Sequence, residues 1–563
     1  MGDDARLIDE FVAGRLGRRE FMLRATALGL GAPLIAAVLG AQSGGAADAA
    51  PAGQVSRALP AHQTAGGRLV FGAWQDPDTL DPHTTGLAAT SRILIHIYDP
   101  LVWRNPADGQ FYPGLAESWE ISPDGKEYTF RLRQDVVFHN GEPFTADAVK
   151  FSFDRIADPA TKSLGRAALG PYERTDVVDP YTAKVVFTEA FSPFLTYAGV
   201  VVVLRPVSPK AVAELGEEIN NQPIGTGPFM YTEYVKQDHF TMVKNPAYAW
   251  GPTFRAHQGA AYLDEILWKI IPEPSTRVSA LENEEVAAIE EVRPQDVVRF
   301  QDDDNFQVLS TATPGQPRTI LINTTKPPTD DLAVRKACIL ATDQDTIITT
   351  LYKGVNTPSH SMLDSLTPCY AEDLDGYMTY DLDKANQTLE EAGWVMNGDI
   401  REKAGQRLEL LFISNSSNDF KNIAELMQAS FKEVGMDLQI QFESQPSVFS
   451  TYQKGPQNFA DFFFWDPDPH QLSSTYHSRN IESGFNWSHF SNPEFDALVD
   501  QAAQETDAAA RCDLYHQAQQ ILWDQAASLP IQQKNALIVA QATLQGVAFD
   551  ANAYPYYYDA TIE

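Results

Sequence analysis

Cysteine is scarce in this chain. Only three occur in 563 residues, Cys338, Cys369 and Cys512. They are too few and too scattered for a metal ribbon or a disulfide framework. One pairing among them is compatible with the spacing but not demanded by it. Cys338 lies in the apolar helical pattern VRKACILA, where a buried thiol is expected. Positive charge is also short. Lys and Arg number 42 against 75 Asp and Glu, for a net charge of −33. Nucleic acid is excluded as a partner, because a phosphate backbone must be met by Lys and Arg. Docking on an anionic membrane surface is disfavoured for the same reason. The acidity is compatible with a cationic ligand, although most charge of this kind is solvated surface.

Catalytic signatures are missing too. There is no G-x-x-x-x-G-K-[ST], no G-x-S-x-G and no H-E-x-x-H. The eleven histidines do not cluster at ligand spacing. The acidic run Asp302-Asp303-Asp304-Asn305 lacks the Gly and the spaced oxygens of an EF-hand loop. No metal and no cofactor is therefore expected. Past the first fifty residues no run reaches the eighteen apolar residues of a membrane span.

The first 49 residues read as an address. GRREFML, residues 17–23, carries the pair Arg18-Arg19. An Ala/Gly/Leu-rich run follows, and Ala47-Asp48-Ala49 resembles a cleavage site. This is similar to a twin-arginine export signal. It departs from that pattern in having Gly17 before the arginines. Ala41 stands where a lipoprotein would place Cys, so an exported, periplasmic or extracellular, unlipidated protein is expected. Residues 50–65 read as a flexible start to the mature chain.

From Gly66 onward, short β-type runs alternate with helical patterns. RLVFGAW (68–74) and EYTFRLR (127–133) read as strands, the second after the turn Ser122-Pro123-Asp124-Gly125. Thr145 caps a predicted helix with Ala148, Phe151 and Ile156 on its apolar face. Residues 382–394 predict a helix stopped by Gly393. LELLFIS, a helix through Ile423, Leu426, Met427 and Phe431, and the strand at 438–444 predict a β-α-β unit. PRTILINTT (317–325) and LPIQQKNALIV (529–539) are extended stretches far apart in sequence, suited to two crossings between one pair of lobes. FFFWDPDPH (462–470) is unusual, because an apolar run does not need carboxylates at its end. It admits a metal site, a carboxylate pair or the lip of a pocket. His470 reads as a hydrogen-bonded loop residue and Asp468 as a turn or cap.

Residues 114–149, GLAESWEISPDGKEYTFRLRQDVVFHNGEPFTADAV, resemble the signature of the family 5 extracellular solute-binding proteins. LDPHTTG (80–86), PIGTGPFMYTEY (223–234), INTTKPPTDDLAVRKACILATDQ (322–344) and LYHQAQQILWDQAASLPI (514–531) follow in the family's order. The resemblance covers essentially the whole chain past the export signal. It implies a periplasmic-binding-protein-like α/β fold, with two α/β lobes joined by a two-crossover hinge. Lobe I would be 66–317 plus 533–563, with an extra subdomain at about 105–215, and lobe II would be 318–532. It also implies a monomeric, non-enzymatic protein that captures a peptide or peptide-like solute and delivers it to a membrane ABC permease.

Peptide-binding members pair an Asp with the ligand's ammonium group. Aligning Asp468-Pro469 on the family's Asp-Pro puts Trp465 at that position, and a one-residue shift restores Asp466. The loop SNSSNDF (414–420) has no arginine for a ligand carboxylate. The ligand-binding set expected from the resemblance is Trp465, Asp466, Trp487, Trp74 and Asn323. An oligosaccharide or an opine is the alternative ligand class. An exported hydrolase using Asp466 and Asp468 is the alternative of a different kind.

Overall fold

Two sheets with separate cores organise the chain. In the computed structural model the described residues are 66–562, apart from 416, 417 and 464. The export signal expected over 1–49 and the tract expected over 50–65 lie outside them.

The first sheet has seven strands, in the order Phe306–Ala312, Asn535–Gln541, Ala288–Glu290, Arg68–Ala73, Glu265–Ile270, His239–Lys244 and Phe229–Val235. Arg68–Ala73 is its central strand. It pairs in parallel with Glu265–Ile270 and with Ala288–Glu290, and its apolar side chains Leu69 and Phe71 are fully buried. The second sheet has six strands, in the order Thr357–Pro358, Ser528–Gln533, Arg318–Ile322, Phe459–Phe462, Glu409–Asn415 and Asp437–Glu443. The expected β-α-β unit is present: Glu409–Asn415 pairs in parallel with Asp437–Glu443 across the helix Asn418–Glu433. That helix buries Ile423, Met427 and Phe431, with Ala424 beside them; Leu426 lies at the edge of the buried stripe.

A four-stranded antiparallel sheet, Ala116–Ile121, Glu127–Leu132, Thr182–Phe187 and Tyr172–Asp179, is inserted into the first lobe. The predicted turn before its second strand forms, with the Gly125 N–H donating to the Ser122 carbonyl at 2.8 Å. Gly125 has φ +69°, a value that favours glycine. The predicted helix is Ala146–Ala157, but Thr145 makes no side-chain capping bond. Its buried face runs through Val149, Ser152, Phe153 and Ile156, with Phe151 only partly covered. Ala148 and Ile156 of the expected face are buried, and the face extends to Val149, Ser152 and Phe153 rather than to Phe151. Phe194 packs edge-on against Tyr128, Phe153 and Phe187, so the insert shares one continuous core with the first sheet. Aromatic pairs in this geometry each add about 0.5–1.5 kcal/mol beyond their burial.

The helix Leu382–Glu391 is capped by Asp381, whose carboxylate accepts the Lys384 N–H. Gly393 follows with φ +87°, the predicted stop.

The chain passes between the sheets twice. Strand Phe306–Ala312 lies in the first sheet and Arg318–Ile322 in the second; Ser528–Gln533 lies in the second and Asn535–Gln541 in the first. The second passage is Lys534 alone. Its carbonyl accepts the N–H of Thr313 at 3.0 Å and the Thr313 hydroxyl at 2.9 Å, so the two passages are bonded to one another. Gly315, in the first passage, has φ +115°, and a Cβ there would meet the Asp466 backbone N at 2.9 Å and O at 3.0 Å. Its N–H donates to the Thr367 hydroxyl at 2.6 Å, and its carbonyl accepts the Asp364 N–H at 2.8 Å.

Cys369 and Cys512 form a disulfide, with Cα atoms 4.7 Å apart. It ties the loop that holds Gly315 to the helix Ala508–Asp524. The sequence left this pairing open, because the two cysteines are 143 residues apart. Cys338 is fully buried, as its apolar pattern predicts. No helix among the described residues is long and apolar enough to cross a membrane.

Candidate functional site

A cavity of about 380 Å³ lies between the two sheets. Its wall takes residues from both ends of strands and from a helix. The first lobe contributes Arg92 from the helix Ala88–Leu94, Glu291 and Arg293 from just past the strand Ala288–Glu290, and Tyr554. The second contributes Arg318 at the head of its strand, Phe463 and Trp465 just past the strand Phe459–Phe462, and Gln532. Lys534, between the lobes, also faces it.

The wall is basic although the chain is acidic. Four of its residues are cations, Arg92, Arg293, Arg318 and Lys534, and the one carboxylate among them is Glu291. Arg92 is ion-paired to the buried Glu290 behind the wall and lies 3.8 Å from Glu291. The Lys534 ammonium is 3.9 Å from Glu291. Burial acts to raise the Glu291 pKa, yet Lys534, Arg92, Arg277 and Arg318 together hold it below the ordinary carboxylate value. At Glu290 burial prevails and the pKa is raised despite Arg92. The Phe463 ring sits between two cations, the Arg318 guanidinium at 5.8 Å and the Lys534 ammonium at 5.4 Å. Arg318 also donates to the Tyr352 hydroxyl at 2.9 Å. The wall thus carries more cations than carboxylates, and Arg293, like Arg92, is ion-paired behind it, to Asp296 at 2.9 Å.

Several buried polar atoms of wall residues have no hydrogen-bond partner: Trp465 Nε1, Gln532 Oε1, Asn552 Oδ1 and Arg92 Nε. A buried donor or acceptor left unpaired costs about 1–3 kcal/mol.

The expected residues divide. Trp465 lines the cavity and crosses to the first lobe, its ring 4.9 Å from that of Tyr554. Asp466 is adjacent but not part of the wall. Its Oδ2 accepts the Tyr197 hydroxyl at 3.1 Å, and its Oδ1 accepts the Asp468 N–H at 2.9 Å. Burial, then the charge of Asp468, push its pKa up to about 7. Trp487 is buried in the second core against Phe449, Tyr452 and Phe462. Asn323 is buried as well. Its amide donates to the carbonyls of Gly455 and Gln457, and its oxygen accepts from Thr325. Trp74 is 37% exposed, outside the cavity wall, and its backbone N–H donates to Glu290 Oε1 at 3.4 Å.

Asp468 is fully buried and holds Arg511 through two bonds, 2.5 and 3.2 Å. It also accepts the His470 N–H at 2.9 Å, the turn role expected of it. Burial would raise its pKa, but Arg511 outweighs that and keeps it below the usual value. His470 differs from expectation: its Nδ1 is buried without a partner, and its ring is held edge-on by Phe191 at 5.7 Å. Burial lowers its pKa to about 4. Among the described residues no cluster of His, Cys, Asp or Glu has metal-holding geometry.

Sequence reasoning missed the cations of the wall. Arg92, Arg293 and Arg318 each open or close an element without any periodic signal. Only Lys534, set in the middle of the predicted crossing QQKNAL, was marked by its position.

The family model for bacterial extracellular solute-binding proteins, family 5, middle region, matches residues 110–483. The chain belongs to this family, whose members bind small solutes for ABC permeases and are not enzymes. The chain is 29% identical over 466 residues to the nickel-binding periplasmic protein of Escherichia coli K12, covering 80% of this chain and 86% of that one. It is 27% identical over 524 residues to the dipeptide-binding protein of the same organism, covering 88% and 94%. Among solved structures, NikA from Brucella suis in complex with Fe(III)-EDTA superimposes with a TM-score of 0.78 at 30% identity, covering 88% of this chain and all of that one.

Proposed function

We propose that this chain is exported through its twin-arginine segment and acts outside the cytoplasm as a monomer. There it captures a carboxylate-bearing, peptide-like solute between two lobes and hands it to an ABC permease. The lobes divide at residues 313–317 and at Lys534. The observation that carries the solute class is the basic wall: four cations against one carboxylate in a protein of net charge −33. The unpartnered acceptors Gln532 Oε1 and Asn552 Oδ1 add a demand for N–H or O–H donors on the same solute. An amino-acid-derived anion meets both requirements.

The hydrolase reading has no support, since Asp468 is closed off by Arg511 and Asp466 does not reach the cavity wall. The anionic chelate in the Brucella relative and the dipeptides of the Escherichia coli relative are both carboxylate-bearing solutes, which is consistent with this reading.

The test is native mass spectrometry of the mature protein purified from its own host, followed by denaturation to release bound solute. An anionic, nitrogen-containing small molecule is expected. Release of a neutral sugar would overturn the proposal. If the protein emerges empty, a thermal-shift panel of peptides, carboxylates and sugars decides. A true ligand at a hundredfold over its Kd adds about 2.7 kcal/mol, and stabilisation by sugars alone would overturn the proposal equally.

A further inference from the structure

The segment joining the cavity to the second lobe does more than line a wall. Tyr197 lies on the helix Phe194–Val200, which is packed in the first core with Phe191 and Phe194. Asp466 follows the strand Phe459–Phe462 of the second sheet. Their hydrogen bond, 3.1 Å, therefore joins one lobe to the other. It does not act alone. The Ser192 N–H donates to the Ala503 carbonyl at 2.8 Å and its hydroxyl to the Ala502 carbonyl at 3.1 Å. Phe191 meets His470 at 5.7 Å. The segment 191–197 of the first lobe thus covers the Asp466-Pro467-Asp468 turn of the second.

We propose that Asp466 is a closure residue, joined to Tyr197 across the lobes and protonated in the closed form, so that closing the cleft takes up a proton.

The groups facing Asp466 leave it little choice. From its own turn comes Asp468, a second carboxylate, whose N–H occupies Asp466 Oδ1. From the helix Ala508–Asp524 come Arg511 and Tyr515, but Arg511 is committed to Asp468 by two bonds. From the first lobe comes the neutral Tyr197 hydroxyl. The first passage between the lobes offers only the Gly315 backbone. The two bonds donated to Asp466 and the nearby Arg511 favour its ionised form, but burial and the Asp468 carboxylate outweigh them and raise its pKa. Opening the lobes removes the Tyr197 segment and rehydrates the group, returning it toward the ordinary value of about 4. Closing is therefore unpenalised below about pH 4, becomes steadily less favourable as pH rises from there to about 7, and changes no further above that. His470, lowered to about 4, is neutral through most of that window. This inference rests on the two-lobe fold and not on the chemistry of the solute.

Single-molecule energy transfer on the ligand-free mature chain tests it. One dye is placed at Lys210→Cys in the first lobe and one at Lys432→Cys in the second, both exposed. Cys338 is buried and Cys369 and Cys512 are paired, so the introduced thiols are the reactive ones. The closed-to-open ratio is expected to fall about thirtyfold from pH 5.5 to pH 8.5, nearly all of it below pH 7. Asp466→Asn, a neutral isostere, should give a ratio that does not change with pH and stands above the wild-type ratio at pH 5.5. Tyr197→Phe should lower the ratio at every pH. A wild-type ratio that is flat with pH, or an equal slope in Asp466→Asn, overturns the proton coupling. An unchanged ratio in Tyr197→Phe overturns the Tyr197 contact. Neither result bears on which solute the cleft takes.

Discussion

The indole of Trp465 lies 4.9 Å from the ring of Tyr554, at an interplanar angle of 38°, and the two rings come from different lobes. Trp465 lies on the second-lobe turn past strand Phe459–Phe462, whereas Tyr554 belongs to the first core. Both line the cavity. The pair therefore bridges the two lobes at the cavity. Trp465→Ala should weaken solute binding about tenfold, in line with 1–2 kcal/mol for an aromatic pair and its burial. The melting temperature without solute should hardly move. Isothermal titration with the released solute measures the first and calorimetry the second; an unchanged Kd would remove Trp465 from the site.

Gly315 is the residue of the first passage that tolerates least. Its φ of +115° is strained for any side chain, and a methyl group would press on the Asp466 backbone at 2.9 Å. Gly315→Ala should cost about 1–3 kcal/mol, and the closed form should bear it. A weaker Kd with a nearly unchanged rate of solute entry is expected in stopped-flow binding. Wild-type binding in this variant would mean that the Asp466 turn is not seated against the passage.

The Cys369–Cys512 bridge closes a loop of 143 residues. By the chain-entropy relation that constrains the unfolded chain by about 5 kcal/mol. For a domain of this size the double Ser variant should melt about 5 °C lower. Thiol titration of the native wild-type protein should find no reactive cysteine, and reduction should expose two. A variant with wild-type melting would place the stabilisation elsewhere.

The Asp468–Arg511 pair is buried on both sides, with side-chain exposures of 0% and 11%. Arg511→Met should cost about 3–5 kcal/mol, because it strands a buried carboxylate. The pH dependence has a definite sign. Arg511 keeps the Asp468 pKa below its ordinary value, so the stabilisation is present above about pH 4 and is lost as pH falls further. The variant should therefore lose less stability than wild type on acidification from pH 5 to pH 3. Urea unfolding at the two pH values checks this, and parallel losses would mean that Asp468 does not titrate with folding.

Much of the fold was legible because it rests on periodicity. The strands Arg68–Ala73 and Glu127–Leu132, the helix Leu382–Glu391 and the β-α-β unit ending at Glu443 all follow from local pattern and turn chemistry. The extended stretches around Arg318 and Lys534 could be matched as two passages because each lies between apolar strands. The site was harder to read. Trp465 was singled out by aligning Asp468-Pro469 on the family's Asp-Pro, and the structure puts it in the cavity wall. Trp487 and Asn323 look identical in sequence to ligand-facing residues, and only packing reveals them as core. The cations were invisible because Arg92, Arg293 and Arg318 come together through tertiary approach of three elements. Overall charge pointed the other way: it is summed over the surface, whereas a solute meets a few side chains.

The single carbonyl of Lys534 that accepts both the N–H and the hydroxyl of Thr313 makes the two passages one axle. Its side chain faces the cavity between the lobes, so under the proposed function the bearing on which the lobes turn is also part of what the solute touches. A chimera that grafts a second lobe from a relative must therefore bring both passages from one parent. Otherwise the donor's axle will not fit the recipient's bearing, however well its binding wall is preserved.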